Sequence, residues 1–217
     1  MELSWKAAQL YASQCQANTL LNKTFESIID LFLDKKVGMS NDFLDWELSQ
    51  DLQKNLLRLL NNEQLKEAGI GAASNLKHNK KIRSDKIYWL DRKHENIFEN
   101  RFLDLIDEFV LYLNRSCYTG IVGYEFHYAL YQKGSFYKRH LDQFKDNNKR
   151  AFSMIVYLNN DWQTNDGGEL CIYHDDHTQI VSPDNQKCVF FRSSELEHEV
   201  LTTTKPRLSI TGWLKTN

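Results

Sequence analysis

The sequence predicts an α+β fold, a β-barrel or jelly-roll core with a helical N-terminal layer packed on it. Two observations point there. Up to about residue 116, apolar residues recur at three- and four-residue spacings with charges between them, the period of helices that bury one stripe. From about residue 121 the texture changes to eight short aromatic and β-branched runs separated by turn residues, the pattern of an all-β core. At 217 residues the chain can bury a sizeable core.

In chain order, FESIIDLFL (25–33) and LSQDLQKNLLRLL (48–60) are the first helical stripes. The third is IFENRFLDLIDEFVLYLN (97–114), with Phe98, Phe102, Leu105, Phe109 and Leu113 on one side. Residues 1–24 are expected to form a helical extension, and 25–217 the main domain. Between the second and third stripes, KEAGIGAASNLKHNKKIRSDKIYWL is a basic, Gly-containing loop running into a short strand around Ile87–Leu90. Its GxG follows a helix instead of a strand, so dinucleotide binding has little support. Lys77, His78, Lys80, Lys81 and Arg83 are most simply a solvated loop. The strand runs are VGYEFHYALY, FYKRHLD, AFSMIVYL, GELCIY, QIVS, KCVFFRS, EHEVL and RLSITGWL, with NDGG and SPDN as turns.

A hydrophobic fraction of 41% beside 26% charged residues is that of a globular chain rather than a disordered or membrane one. The formal net charge of −2 removes the electrostatic argument for nucleic acid or anionic membrane as partners. The N-terminus lacks the basic and apolar regions of a secretory signal, and no run of 18 apolar residues occurs, so a cytoplasmic protein is expected. Cys15, Cys117, Cys171 and Cys188 lack CxxC spacing and are read as separate reduced thiols.

The chemistry centres on SFYKRHLDQF (135–144). On a strand, residues i and i+2 share a face, so His140 and Asp142 can present an imidazole and a carboxylate to one point, with Leu141 opposite. Alone, HxD is weak evidence and reads more simply as a polar strand face than as a metal site. His198 follows 56 residues after Asp142, and Arg207 nine residues after that. Two His and one carboxylate on one side of a metal leave adjacent positions open, as in non-haem Fe(II) oxygenases. On RLSITGWL, the alternate residues Arg207, Ser209, Thr211 and Trp213 share a face, and a guanidinium there is suited to grip a carboxylate.

This ordered set resembles the 2-oxoglutarate and Fe(II)-dependent oxygenases of the prolyl 4-hydroxylase type, above all the EGL-nine-like prolyl hydroxylases and their bacterial relatives. IRSDKIYWL, YQKGSFYKRHLD, the run from Arg150 through IVYLNNDW, GGELCIY, HEV and RLSITGW extend the resemblance over roughly residues 25–215. It implies a double-stranded β-helix core, with His140, Asp142 and His198 as the metal ligands and catalytic centre. Arg207 would bind the far carboxylate of 2-oxoglutarate with help from Tyr157. Tyr131 would stand in the pocket near the metal, Thr211 and Trp213 in its wall, and Arg150 near the substrate entrance. It further implies Fe(II), 2-oxoglutarate and O2, with ascorbate as an auxiliary candidate, and hydroxylation of a prolyl residue in a protein with succinate and CO2 as co-products. Elongation factor Tu is the candidate substrate for a bacterial relative. Residues 68–82 fall where the family carries a mobile loop over the peptide. Ser84 stands where many relatives have glycine, and Gln143 where several have asparagine, which touches substrate identity and leaves the triad intact.

Rival readings remain open to test. His174 and Asp176 of IYHDDHT form a second HxD, with His177 beside it, but His198 follows Asp176 by only 22 residues. That is too close for the intervening strands, and the segment looks like a hairpin tip. A nucleic-acid dealkylase of the same superfamily would show a second arginine soon after Arg207, and LSITGWLKTN has none. A non-catalytic protein-binding barrel with a vestigial metal site is the third reading. His78, His94 and His127 have no matched partners and are read as surface or packing residues.

Overall fold

The structure, a computed structural model, describes residues 2–69, 81–143 and 149–217, with side chains described from residue 19 onward. Helix α1 (Glu2–Lys35) leads into strand β1 (Val37–Ser40) and helix α2 (Trp46–Asn61). Strands β2 (Lys66–Glu67) and β3 (Lys86–Trp89) flank the segment before α3 (Ile97–Cys117). The remaining strands are β4 (Gly123–Tyr131), β5 (Tyr137–His140), β6 (Arg150–Tyr157), β7 (Leu170–Tyr173), β8 (Thr178–Val181), β9 (Cys188–Arg192), β10 (Glu197–Val200) and β11 (Arg207–Lys215). Each expected helix is present and longer than its stripe, and α1 runs unbroken across residue 24. Asp45 and Asn96 accept hydrogen bonds from the first free amides of α2 and α3, which fixes where those helices start.

All strand pairs are antiparallel, in a seven-stranded sheet of order β1-β9-β6-β11-β4-β3-β2 and a four-stranded sheet of order β5-β10-β7-β8. The period-two alternation of the central strands decides what each face does. Leu208, Ile210 and Leu214 of β11, Phe126, Tyr128 and Leu130 of β4, and Phe152, Met154 and Val156 of β6 pack against Phe25, Leu52, Phe102 and Phe109 of the helices. Ala129, Tyr131, Ile155 and Tyr157 point the other way and pack with Leu170, Ile172 and Val200 of the smaller sheet. The result is the double-stranded β-helix expected from the sequence, with the helices covering only the large sheet. At Gly212 β11 lies close against its neighbour β4: a Cβ there would come within 2.3 Å of the Glu125 carbonyl oxygen.

Two strands, β1 and β2, were not read from the sequence. Both are short edge strands, with too few residues to show an alternation. Cys117, Cys171 and Cys188 are unbonded thiols. Among the described residues no helix is long and apolar enough to cross a membrane. Most of the basic loop, including Lys77, His78 and Lys80, lies outside the described residues.

Candidate active site

Between the two sheets opens a cavity of about 790 Å³. His140, Asp142 and His198 line it, with three ligand atoms all within 4.8 Å of one another. His140 Nε2 is 3.4 Å from Asp142 Oδ1, and His198 Nε2 is 3.5 Å from Asp142 Oδ2. The convergence has a cross-strand origin, since His198 on β10 stands directly opposite His140 on β5. The strand ends at His140, however, and Asp142 occupies the bend that follows. The HxD pair is therefore a strand end and a turn rather than two steps of one strand, and Leu141 is left half exposed.

Each group is already set in the state a metal ligand needs. His140 Nδ1 lies 2.7 Å from the Lys138 carbonyl and His198 Nδ1 3.2 Å from the Leu196 carbonyl. A carbonyl can only accept, so both Nδ1 atoms carry a proton, and the Nε2 atoms, turned toward Asp142, are the ones a metal would take. Burial lowers His198 to about 4, which keeps it unprotonated at neutral pH. Burial works against charge on Asp142, but the imidazoles of His198 and His140 and the hydrogen bond donated by Ser153 Oγ at 2.7 Å outweigh it. The carboxyl stays well below the usual carboxylate range. Two imidazoles and one carboxylate on one side are a donor set that fits Fe(II) with open positions beside it.

Deeper in the cavity Arg207 is 1% exposed. Its Nε donates to the Gly168 carbonyl at 2.7 Å and its Nη1 to Ser209 Oγ at 3.4 Å, with Cζ 4.9 Å from the ring centroids of both Tyr131 and Tyr157. Gly168 has φ +69°, and a Cβ on it would sit 3.1 Å from Arg207 Cδ, so glycine lets this carbonyl approach the guanidinium. Arg207 Nη2 and the Tyr157 hydroxyl are buried without a hydrogen-bond partner among the described residues. Two orphaned donors side by side are the complement of a carboxylate. Burial pushes Tyr157 up to about 12, partly offset by Arg207, so its hydroxyl keeps the proton it would donate.

Thr211, Trp213, Tyr131 and Arg150 also line the cavity. Arg150 donates through Nε and Nη2 to Glu125 Oε1, and its Cζ lies 3.4 Å above the Trp213 ring. All nine residues singled out from the sequence thus gather in and around one cavity. His174 and His177 do not join them: their rings stack 4.4 Å apart at the β7–β8 hairpin, with His177 bonded to exposed Asp176.

Sequence reasoning missed several cavity residues. Two lone histidines hold the surface and packing places expected of them and also line the cavity. His127 is only 2% exposed and lines the cavity beside Trp89 and Trp213. His94 also lines it while pairing with buried Glu99 at 3.0 Å. Tyr137 stacks on His140, and Arg83, held by both carboxylate oxygens of Asp85, lies 4.3 Å above the Tyr137 ring. The alternation His127, Ala129, Tyr131 in phase with the inner face of β11 was the one signal for His127.

A double-stranded β-helix holding two histidines and an aspartate beside a buried arginine defines a non-haem iron, 2-oxoglutarate-dependent oxygenase. The profile of the 2OG-Fe(II) oxygenase superfamily matches residues 126–215. A Pseudomonas putida prolyl-4-hydroxylase crystal structure is 32% identical with a TM-score of 0.80, and the match covers 89% of this chain and 99% of that one. The chain belongs to the 2OG-Fe(II) oxygenase superfamily, within its prolyl 4-hydroxylase family. A Caenorhabditis elegans hypoxia-inducible factor prolyl hydroxylase is 31% identical over 147 residues, 63% of this chain and 20% of that protein, so the chain spans about a fifth of that curated relative. A Trichoplax adhaerens prolyl hydroxylase, solved with a hypoxia inducible factor peptide fragment, shares the fold at TM-score 0.81 and 23% identity, covering 93% of this chain and 92% of that one.

Proposed function

We propose that the protein hydroxylates a prolyl residue of a protein substrate, using Fe(II), 2-oxoglutarate and O2. The observation that supports this best is the pairing, in one cavity, of the His140, Asp142 and His198 donor set with the partnerless Arg207 Nη2 and Tyr157 hydroxyl. When bound, the iron and its cosubstrate supply the oxidation of an unactivated C–H bond, with succinate and CO2 as co-products. His140, Asp142 and His198 would hold the metal through Nε2, a carboxylate oxygen and Nε2. Arg207 and Tyr157 would fix the far carboxylate of 2-oxoglutarate, and Tyr131, stacked against the same guanidinium, would keep water from it. Trp213, braced by Arg150, and Thr211 would form the wall that orients the substrate near the metal. Keeping Asp142 as a ligand favours hydroxylation over halogenation, which needs the carboxylate's place for a halide.

Elongation factor Tu is the proposed protein partner, on the strength of the sequence resemblance, and a cytoplasmic location goes with it. Ascorbate would serve as accessory reductant. The test is a panel of prolyl peptides and purified elongation factor Tu incubated with Fe(II) and 2-oxoglutarate and read by mass spectrometry. The expected result is a gain of one oxygen on proline, with succinate formed in proportion. Succinate formation with no prolyl product would assign the site another substrate, and no metal-dependent turnover at all would favour a binding module.

A further inference from the structure

The inward-facing rows of the large sheet give the cavity a depth scale. Across β11 and β4, Arg207 faces Tyr131, Ser209 faces Ala129, and Thr211 faces His127. Across β11 and β6, Ser209 faces Tyr157, Thr211 faces Ile155, and Trp213 faces Ser153. A four-residue step along a strand is about 13 Å, so the His127 row stands well away from the Arg207 floor. Ser153 is the residue bonded to Asp142. His127, in the row next to it, therefore lies across β11 from the metal-binding set at about the same depth.

His127 has no visible reason to be polar within the fold. Its imidazole packs beside Trp89 and Trp213 at centroid distances of 4.9 and 5.5 Å, in a three-ring cluster whose tryptophans lie 6.4 Å from each other, and its buried Nδ1 has no hydrogen-bond partner among the described residues. An unsatisfied buried polar group is destabilising, and one that lines a ligand cavity calls for a partner that arrives with the ligand. Burial, helped by the nearby Arg83 charge, lowers its pKa to about 3. The ring is neutral at physiological pH and offers one N–H donor and one acceptor nitrogen. A prolyl nitrogen carries no hydrogen, so the backbone beside a target proline offers its carbonyl oxygens.

We propose that His127 is a specificity-determining residue whose imidazole N–H donates a hydrogen bond to a backbone carbonyl flanking the target prolyl residue. The inference rests on the prolyl reading above and extends it to a contact that orients the substrate backbone beside a cluster of two tryptophans.

The test compares wild type with His127→Phe, which keeps an aromatic ring without a donor, and His127→Gln, which restores an N–H. The probe is elongation factor Tu or, should it take up no oxygen, the prolyl peptide hydroxylated in the panel. Its Kd is measured on the Co(II)-loaded enzyme with 2-oxoglutarate, beside its KM with Fe(II). Losing one hydrogen bond should raise both about three- to tenfold in His127→Phe, and His127→Gln should recover most of that. Co(II) and 2-oxoglutarate affinities should not change in either variant. Unchanged substrate affinity in His127→Phe, no recovery in His127→Gln, or an equal loss of cosubstrate affinity would overturn the proposal. If His127→Phe fails to fold, His127→Met makes the same comparison. A wild type that hydroxylates no prolyl probe would overturn the prolyl reading itself and this inference with it, an outcome distinct from a variant that merely matches wild type.

Discussion

The phenol ring of Tyr137 lies on the imidazole of His140, with 3.6 Å between centroids and 16° between planes. Arg83 closes the stack from the Tyr137 side and is itself fixed by Asp85. The metal-binding imidazole is thus held by its Nδ1 hydrogen bond and by a ring against its face. Groups that orient a ligand typically contribute about tenfold or more to metal affinity. Tyr137→Ala should weaken Co(II) binding by about tenfold, whereas Tyr137→Phe should bind like wild type. A titration followed by the visible absorption of bound Co(II) reads both.

Arg207 makes the second prediction. Charge-assisted hydrogen bonds are worth about 1.5 to 3 kcal/mol, so Arg207→Ala should weaken 2-oxoglutarate binding by about ten- to more than a hundredfold. Arg207→Lys should recover only part, since an ammonium cannot keep the Gly168 contact and meet a carboxylate with a planar fork. Calorimetry with the Co(II)-loaded protein measures the cosubstrate directly, and equal affinity in wild type and Arg207→Ala would refute the assignment.

The two HxD segments separate cleanly by mutation. His140→Ala, Asp142→Ala or His198→Ala should abolish succinate formation and remove tight Co(II) binding. His174→Ala should keep both, because its ring belongs to an exposed hairpin contact. The reverse pattern would move the metal to the hairpin.

A pH dependence follows from His127. Its pKa falls from 6.5 to about 3 on folding, so the unfolded chain takes up a proton below 6.5 that the folded chain refuses until about 3. The associated stability is intact above pH 6.5 and is lost as pH falls toward 3, at about 1.4 kcal/mol per pH unit. His198, lowered to about 4, adds a loss of the same sign in the metal-free protein. Urea unfolding between pH 6 and pH 4 should therefore show His127→Gln with a slope shallower than wild type by about one proton.

How far the sequence spoke depended on whether a contact follows from spacing. Arg207, Thr211 and Trp213 were legible because strand alternation survives translation into a sheet, and His198 because its place in the ordered set matched the family pattern. Tyr137 was not, because it stands three positions before His140, an odd spacing that points opposite ways in a regular strand. β10 pairs His198 with His140 and Val200 with Tyr137, so two residues' distance on one strand meets three on the other. That irregularity turns Tyr137 onto His140. Asp142 joins the expected cluster from a different backbone, since the motif assumes a strand that here stops one step early. His127 acquires meaning only from its neighbours Thr211 on β11 and Trp89 on β3, and register between distant strands is not written in either segment.

The burial of Arg207 has a kinetic corollary. Its guanidinium is almost wholly buried, and of the clustered rings Trp89, His127 and Trp213 that line the same cavity, Trp89 reaches the surface. A protein chain resting on those rings would cover the way down to the arginine. The two reactants should then form a queue, with 2-oxoglutarate first and the protein second, and succinate should depart only after the modified chain has left. Product-inhibition patterns in steady-state kinetics would reveal that order, as a tide mark reveals which object reached the beach first.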